Sequence, residues 1–386
     1  MRNLIKQFRD MRRYFRASNQ IRRIVFYSEG PSYWPYFEDI SDHLIDRLGR
    51  DVCYLTSSAV DPALAIHKSG FHPFYIGSSF IRSITMINLR AGVAVMTAPD
   101  LGKLYFRKSV HPVHYIYLPH NINSTHMVFR ERAFNGYDSI LCVGPHQLAE
   151  HQEAEKIYGL SPRNLIKIGY PKLDALRKSN RKITAPGSEP ETCVMIAPSW
   201  GENSLFSFGC DALLENLLDA GFKVILRPHR DTGVDDPAAL ARIRSRFGGR
   251  ENLVWAKDLV SDDPYFGAHA LITDWSGSSF SFAFGAERPV LFIDMPKKIN
   301  NKDFSKFNAI PLEVSLRAEM GEILSTERMG DAAKILKRLC SDPDYWSRKL
   351  SQLRRTWCYN EGHSAEQAAA TISELAGRNG PVSTAQ

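Results

Sequence analysis

The sequence predicts an α/β protein: two doubly wound, Rossmann-like domains facing one another across a cleft, preceded by an amphipathic helix. Three observations carry this reading. At 386 residues the chain exceeds what one hydrophobic core fills and suits two domains of ordinary size. Short β-branched and aromatic runs alternate with stretches of helical spacing, the pattern of parallel sheets covered on both faces. A polar, proline-bearing stretch at 177–191, RKSNRKITAPGSEPE, interrupts that alternation near the middle and reads as a linker.

The first element is the helix. Residues 1–23 carry eight basic side chains and one acidic one, Asp10, while the rest of the chain is balanced, so the whole net charge of +7 sits at the N-terminus. Leu4, Phe8, Met11 and Phe15, with Ile5 beside them, follow the spacing of one helical face. Such a helix can lie on an anionic membrane surface, its apolar stripe among the headgroups and its arginines on phosphates. The ordinary alternative is a helix docked on its own domain. No basic patch continues into the body of the chain, which argues against nucleic acid as a partner.

The N-terminal domain, 24–176, follows. Residues 24–28 form a strand ended by Glu29-Gly30-Pro31. Helical spacing runs from Tyr36 to Leu48, then come a strand at 52–56, a helix near 62–69 and strands at 74–76, 91–97 and 115–118. A strand at 139–143, a helix at 145–158 and a strand at 165–168 complete the unit. In the C-terminal domain, 192–345, strands are expected at 192–197, 223–226, 253–255, 270–273 and 290–293. Helices are expected between them at 205–220, 237–247, 262–268 and 279–286. Residues 346–376 read as helical and 377–386 as a disordered tail.

Composition narrows the class. With 44% hydrophobic and 24% charged residues, collagen-like, coiled-coil and wholly disordered readings are excluded. No apolar run reaches the roughly 20 residues of a membrane span, since Arg82 and Arg90 break the greasiest stretch. The six cysteines form no CxxC pair, so neither a disulfide framework nor a thiolate zinc site is indicated, and a reducing cytoplasm fits.

Ligands of open α/β sheets bind beyond the carboxyl ends of the strands, beside helix N-termini that attract phosphate. Neither GxGxxG nor a P-loop motif occurs. Instead, three strand ends of the C-terminal domain carry polar clusters: Ala197 to Glu202, with Ser199; Arg227-Pro228-His229-Arg230; and Thr273-Asp274-Trp275-Ser276-Gly277-Ser278-Ser279. Small hydroxylated residues between a strand and a helix present amides and hydroxyls to an anion, and two arginines flanking a histidine stabilise phosphate charge without a metal. A serine-rich helix cap would have a similar composition. In the N-terminal domain, Leu118-Pro119-His120-Asn121 ends a strand, and His120 is placed as a general base. His111, His114 and His126 lie nearby, but no thiolate or carboxylate accompanies them and a proline separates two, so a structural role is expected and no metal.

The ordered set formed by 118–121, 137–160, 166–176, 194–202, 224–230 and 271–294 resembles the CDP-glycerol glycerophosphotransferase family, which includes teichoic acid polymerases and primases. The similarity spans about residues 115 to 295. It implies a GT-B fold, association with the cytoplasmic face of the membrane, and transfer of glycerol phosphate from CDP-glycerol to a polyol phosphate acceptor. His120 matches the family's N-domain histidine and His229 that of its C-domain. Thr273, Asp274, Ser276, Ser278 and Ser279 match its phosphate loop. Two departures stand out. Asn121 to Thr125 follow His120 where the family has a glycine and then a lysine, and Gly277 separates Ser276 from Ser278.

The expectation is therefore a GT-B transferase of cell-envelope polymer synthesis, teichoic acid or capsule-like, working without metal or cofactor. His120 would deprotonate the acceptor hydroxyl. Ser199, Arg227, His229, Arg230 and the serine loop would hold the diphosphate. The expected partners are CDP-glycerol or another nucleotide-activated donor, a membrane-linked polyol or saccharide acceptor, and the membrane surface. Alternatives sharing the skeleton are a nucleotide-sugar glycosyltransferase for capsule or lipopolysaccharide, a nucleotide-sugar 2-epimerase and a non-catalytic nucleotide-sugar-binding protein.

Overall fold

The computed structural model describes residues 2–103, 106–180, 192–229, 231–256, 265 and 267–378. Seven parallel strands form the first sheet: β1 (Ile24–Ser28), β2 (Val52–Thr56), β3 (Phe71–Tyr75), β4 (Val93–Met96), β5 (His114–Tyr117), β6 (Ser139–Cys142) and β7 (Asn164–Lys167). Their spatial order is β3-β2-β1-β4-β5-β6-β7. The second sheet has six parallel strands: β8 (Cys193–Ile196), β9 (Lys223–Leu226), β10 (Leu253–Trp255), β11 (Ala270–Thr273), β12 (Val290–Ile293) and β13 (Gly321–Leu324), in the order β10-β9-β8-β11-β12-β13. Each order reverses beside its first strand, between β1 and β4 and between β8 and β11, and such switch points are where doubly wound sheets open a crevice.

Every residue of β1, β2, β4, β8, β11 and β12 is buried. Parallel strands covered by helices on both faces lose the polar alternation of half-exposed ones, which is why runs such as IVFYS and VLFI read continuously apolar. The expected strands and most helices occur within a few residues of their predicted bounds. The helix expected at 205–220 is two pieces, Leu205–Phe208 and Asp211–Asp219, separated at Gly209, whose φ of +117° no side-chain-bearing residue adopts readily. The helix expected at 62–69 is one 3-10 turn, Pro62–Ala65.

The linker prediction began too early. The helix Pro171–Asn180 runs through 177–180, because the Arg177 guanidinium pairs with Glu361 and lies 3.8 Å from Glu287, anchoring that turn. The rest of 177–191, most of the helix expected at 262–268 and the end of the predicted tail lie outside the described residues; Gly377 and Arg378 close the helix Ser364–Arg378. The helix Pro343–Trp357 packs on the second domain through Trp346 and Leu350. The chain then returns to the first, where Ala368, Ala369 and Ile372 enter the core beside Phe26 and Phe37.

The N-terminal helix Arg2–Arg16 docks on its own domain, but of the predicted stripe only Phe15, at its C-terminal end, packs against the core. Leu4, Ile5 and Phe8 are 52%, 63% and 43% exposed, whereas Asp10 and Tyr14 are buried. The inward face is Gln7, Asp10 and Tyr14, spaced i, i+3, i+7. Gln7 donates to the Tyr75 hydroxyl (3.1 Å), Asp10 accepts from the Tyr75 amide (3.2 Å), and the Tyr14 hydroxyl donates to the Arg90 carbonyl (3.0 Å). Polar partners at the end of β3 and before β4, with the buried Tyr14 ring edge-on to Phe74 at 5.9 Å, hold the helix, and its apolar N-terminal half faces solvent.

Candidate active site

The loops that follow β1, β5, β8, β9 and β11 converge on a cleft of about 480 Å³ between the two sheets, a volume suited to a nucleotide-sized ligand. Its second-domain wall is built from the strand ends predicted from the sequence: Ser199, Arg227, His229, Ser276 and Ser278 line it. His120 lines it from the first domain. Arg230 lies outside the described residues.

Three predicted contact residues do not line the cleft. The Thr273 hydroxyl donates to the Ala197 carbonyl (2.7 Å), and the Ser279 hydroxyl donates to the Ser276 carbonyl (3.0 Å). Asp274 is buried and accepts from the amides of Ser199 (2.7 Å) and Leu205 (3.0 Å). Burial pushes its carboxyl pKa up while those amides pull it down, and the net shift is upward. These side chains cross-brace the loops after β8 and β11, so that Ser276 and Ser278, at the start of the helix Ser278–Ala286, face the cavity. The Ser278 amide donates to the Ser276 hydroxyl oxygen (3.3 Å) and the Ser279 amide to the Ser276 carbonyl (3.2 Å), so the groups that suit an anion here are the two serine hydroxyls at the positive end of a nine-residue helix.

His229 is oriented by its neighbours. Its Nδ1 accepts from the Asp231 amide (3.2 Å), which in the neutral ring leaves the proton on Nε2 as a donor. Its ring stacks on Trp200 at 6.0 Å and 29°. Lys298 covers the same indole, its ammonium 3.6 Å from the ring centroid and donating to the Trp200 carbonyl (2.8 Å). Burial lowers the Lys298 pKa, with Asp274 and Asp231 opposing. Arg227 donates from Nη1 to the Tyr265 hydroxyl (2.9 Å), which fixes its guanidinium in the cleft wall.

His120 sits among aromatic rings: Tyr33, Tyr36 and Phe129 lie edge-on to it at 5.9, 6.3 and 5.7 Å. Its Nδ1 lies 3.5 Å from the Tyr117 hydroxyl, whose pKa burial holds well above the usual phenol value. In the tautomer that donates from Nδ1 to that oxygen, Nε2 carries the ring's basic lone pair. His111, His114 and His126 do not line the cleft. His114 bonds the Ser139 hydroxyl (2.8 Å), His111 pairs with Arg90 (3.3 Å), and His126 is buried between Phe304 and Phe307.

Asn123, Lys172, Lys298 and Glu313 also line the cleft and are absent from the predicted set. Lys298 follows the end of β12 in a PKK run, a strand-end signal of the same kind as RPHR. Glu313 carries no such signal. Among the described residues no group of three or more His, Cys, Asp or Glu side chains is placed to hold a metal ion.

Among solved structures, the fold is similar to that of the wall teichoic acid polymerase TagF, with a TM-score of 0.60 and 16% identity, covering 97% of this chain and 98% of that one. It is also similar to S. aureus MnaA in its UDP co-structure (0.58, 11% identity, 92% and 97% covered). A third similar fold is the UDP-GlcNAc 2-epimerase of Neisseria meningitidis bound to UDP-GlcNAc (0.55, 12%, 91% and 100%). No curated protein matches significantly in sequence. Two parallel sheets facing one cleft define an α/β protein of GT-B-like fold. The chain belongs to the CDP-glycerol:poly(glycerophosphate) glycerophosphotransferase family, whose model matches residues 131–374.

Proposed function

We propose that the protein transfers glycerol phosphate, or a related polyol phosphate, from a CDP-activated donor to an acceptor hydroxyl in the synthesis of a teichoic acid or capsule-like envelope polymer. The supporting observation is that His120 on one domain and Arg227, His229, Ser276 and Ser278 on the other line one cleft. The acceptor oxygen attacks the phosphorus that bears the polyol, and its proton passes to His120. The phosphoanhydride bond breaks and its electron pair leaves with CMP, whose developing charge meets Arg227, the Nε2–H of His229 and the serine loop. On this reading residues 24–176 form the acceptor domain and 192–345 the donor domain.

The N-terminal helix would hold the enzyme on the inner face of the membrane, where a lipid-linked acceptor resides. Exposed Leu4, Ile5 and Phe8 beside exposed Arg9, Arg12 and Arg16 support this. Thermal-shift screening of CDP-glycerol, CDP-ribitol and common UDP-sugars tests the donor, followed by assay of CMP release. Stabilisation by a UDP-sugar alone would replace this reading with a glycosyltransferase one, and no stabilisation by any of them would favour a non-enzymatic role.

A further inference from the structure

Two oxygen atoms in the cleft have no hydrogen-bond donor among the described residues. Asn123 is 3% exposed and its Oδ1 is unpartnered; Glu313 is 4% exposed and its Oε1 is unpartnered. Both residues line the cavity that contains Ser276 and Ser278. Buried oxygens without donors are unfavourable, and the surrounding fold could have satisfied them. Glu313 Oε2, by contrast, accepts from the Ser124 amide at 3.0 Å, and the Ser124 hydroxyl accepts from the Leu312 amide at 2.6 Å. That clasp holds Glu313 against the loop carrying Asn123.

The position of the two oxygens selects a ligand class. Asn123 Oδ1 lies 2.7 Å from the point where a Cβ on Gly277 would stand, inside the serine loop. A group attached to a phosphate on that loop therefore reaches Asn123 first. Phosphate oxygens accept hydrogen bonds and cannot satisfy an amide oxygen, whereas hydroxyl groups can.

We infer that Asn123 and Glu313 recognise the hydroxyl groups of the polyol carried by the donor's second phosphate. The inference rests on the donor reading proposed above and gives that polyol a subsite. Burial pushes the Glu313 carboxyl up to about 7, so near neutrality it can donate to one hydroxyl oxygen as well as accept from another.

The test is calorimetric titration of the full chain with CDP and, separately, with CDP-glycerol. Asn123→Ala removes an oxygen that bonds nothing among the described residues, and Glu313→Gln keeps an oxygen for the Ser124 amide; circular dichroism checks that both fold. The wild type should bind CDP-glycerol more tightly than CDP. Each variant should lose about tenfold on CDP-glycerol, one hydrogen bond's worth, and less than about twofold on CDP. Equal losses on both ligands would assign the oxygens to the ribose or the phosphates and overturn the inference, as would unchanged binding of CDP-glycerol. A wild type that binds neither ligand would overturn the donor reading itself, a result separable from the other two.

Discussion

Asn123 and Gly277 meet across the cleft: a Cβ at position 277 would come within 2.7 Å of the Asn123 amide oxygen. These are the two places where the sequence departs from the pattern it otherwise resembles, an asparagine-bearing loop after His120 and a glycine inside the serine loop. The departures are one feature. The glycine makes room for an N-domain side chain against the serine loop, and its φ of −61° shows that space, not backbone conformation, requires it.

Gly277→Ala should therefore be tolerated by the fold, because the obstructing atom ends a side chain and the next nearest, Asn123 Cγ, is at 3.6 Å. Asn123 must swing aside, and donor affinity should fall by about tenfold, the loss expected for one hydrogen bond. In a double-mutant cycle, Gly277→Ala should add nothing to Asn123→Ala. Additive losses would mean that the alanine disturbs the serine loop independently.

The helix that docks by its polar face predicts a separation of membrane binding from folding. Replacing Leu4, Ile5 and Phe8 together with serine should lower partitioning onto anionic vesicles by at least about a hundredfold while leaving the melting temperature unchanged, since all three are exposed. Tyr14→Ala should do the reverse, costing about 3 kcal/mol of stability through a fully buried ring. Vesicle flotation and thermal melts read the two effects.

The sequence showed the sheets because both faces of each central strand are covered, so VCYLT and VLFI needed no partner information to be recognised. It showed four of the loops that line the cleft, those after β5, β8, β9 and β11, because strand ends at a switch point are shared by the whole architecture. It did not show which side chains within a loop turn inward. Thr273 and Ser279 carry the same hydroxyl as Ser276 and Ser278, and only the carbonyls to which they donate distinguish them; Asp274 is turned away by the amides it accepts from. Glu313 bonds Ser124, 189 residues away in the chain, and no local pattern reports such a contact. The helix misled for a related reason: its apolar spacing is real, but the surface beneath it offers Tyr75 and Arg90.

Glu313 also makes a prediction about pH. Its folded pKa of about 7 exceeds the ordinary value of 4.5, first because of burial, with Glu150 adding to it against the Ser124 amide. Between those values the folded state holds a proton that the unfolded chain has released, so this group's contribution to stability falls as pH rises from 4.5 towards 7 and is constant above. His126 and Glu150 titrate nearby, so the readout is the difference between wild type and Glu313→Gln. The variant should gain about 1–3 kcal/mol relative to wild type between pH 5 and pH 7.5 in denaturant melts. A difference that does not change with pH would show that Glu313 is ionised throughout.

The last prediction concerns how leaving-group charge is met. Transfer from a nucleoside diphosphate leaves negative charge on the departing phosphate, which a divalent ion or fixed donors must balance. The cleft offers the Arg227 guanidinium, the Lys298 ammonium, the Nε2–H of His229 and the hydroxyls of Ser276 and Ser278. Lys298 and His229 are both held against Trp200, Arg227 by Tyr265, so little reorganisation is needed when the charge develops. Replacing Ser276 and Ser278 together with alanine should weaken donor binding by about 2–4 kcal/mol. Stability should change little, because Asp274 still braces the loop through Ser199 and Leu205. CMP release by the wild type should persist in EDTA. An enzyme that stops in EDTA, recovers with magnesium and tolerates the double serine change would place the charge on a metal and remove the serine loop from the mechanism.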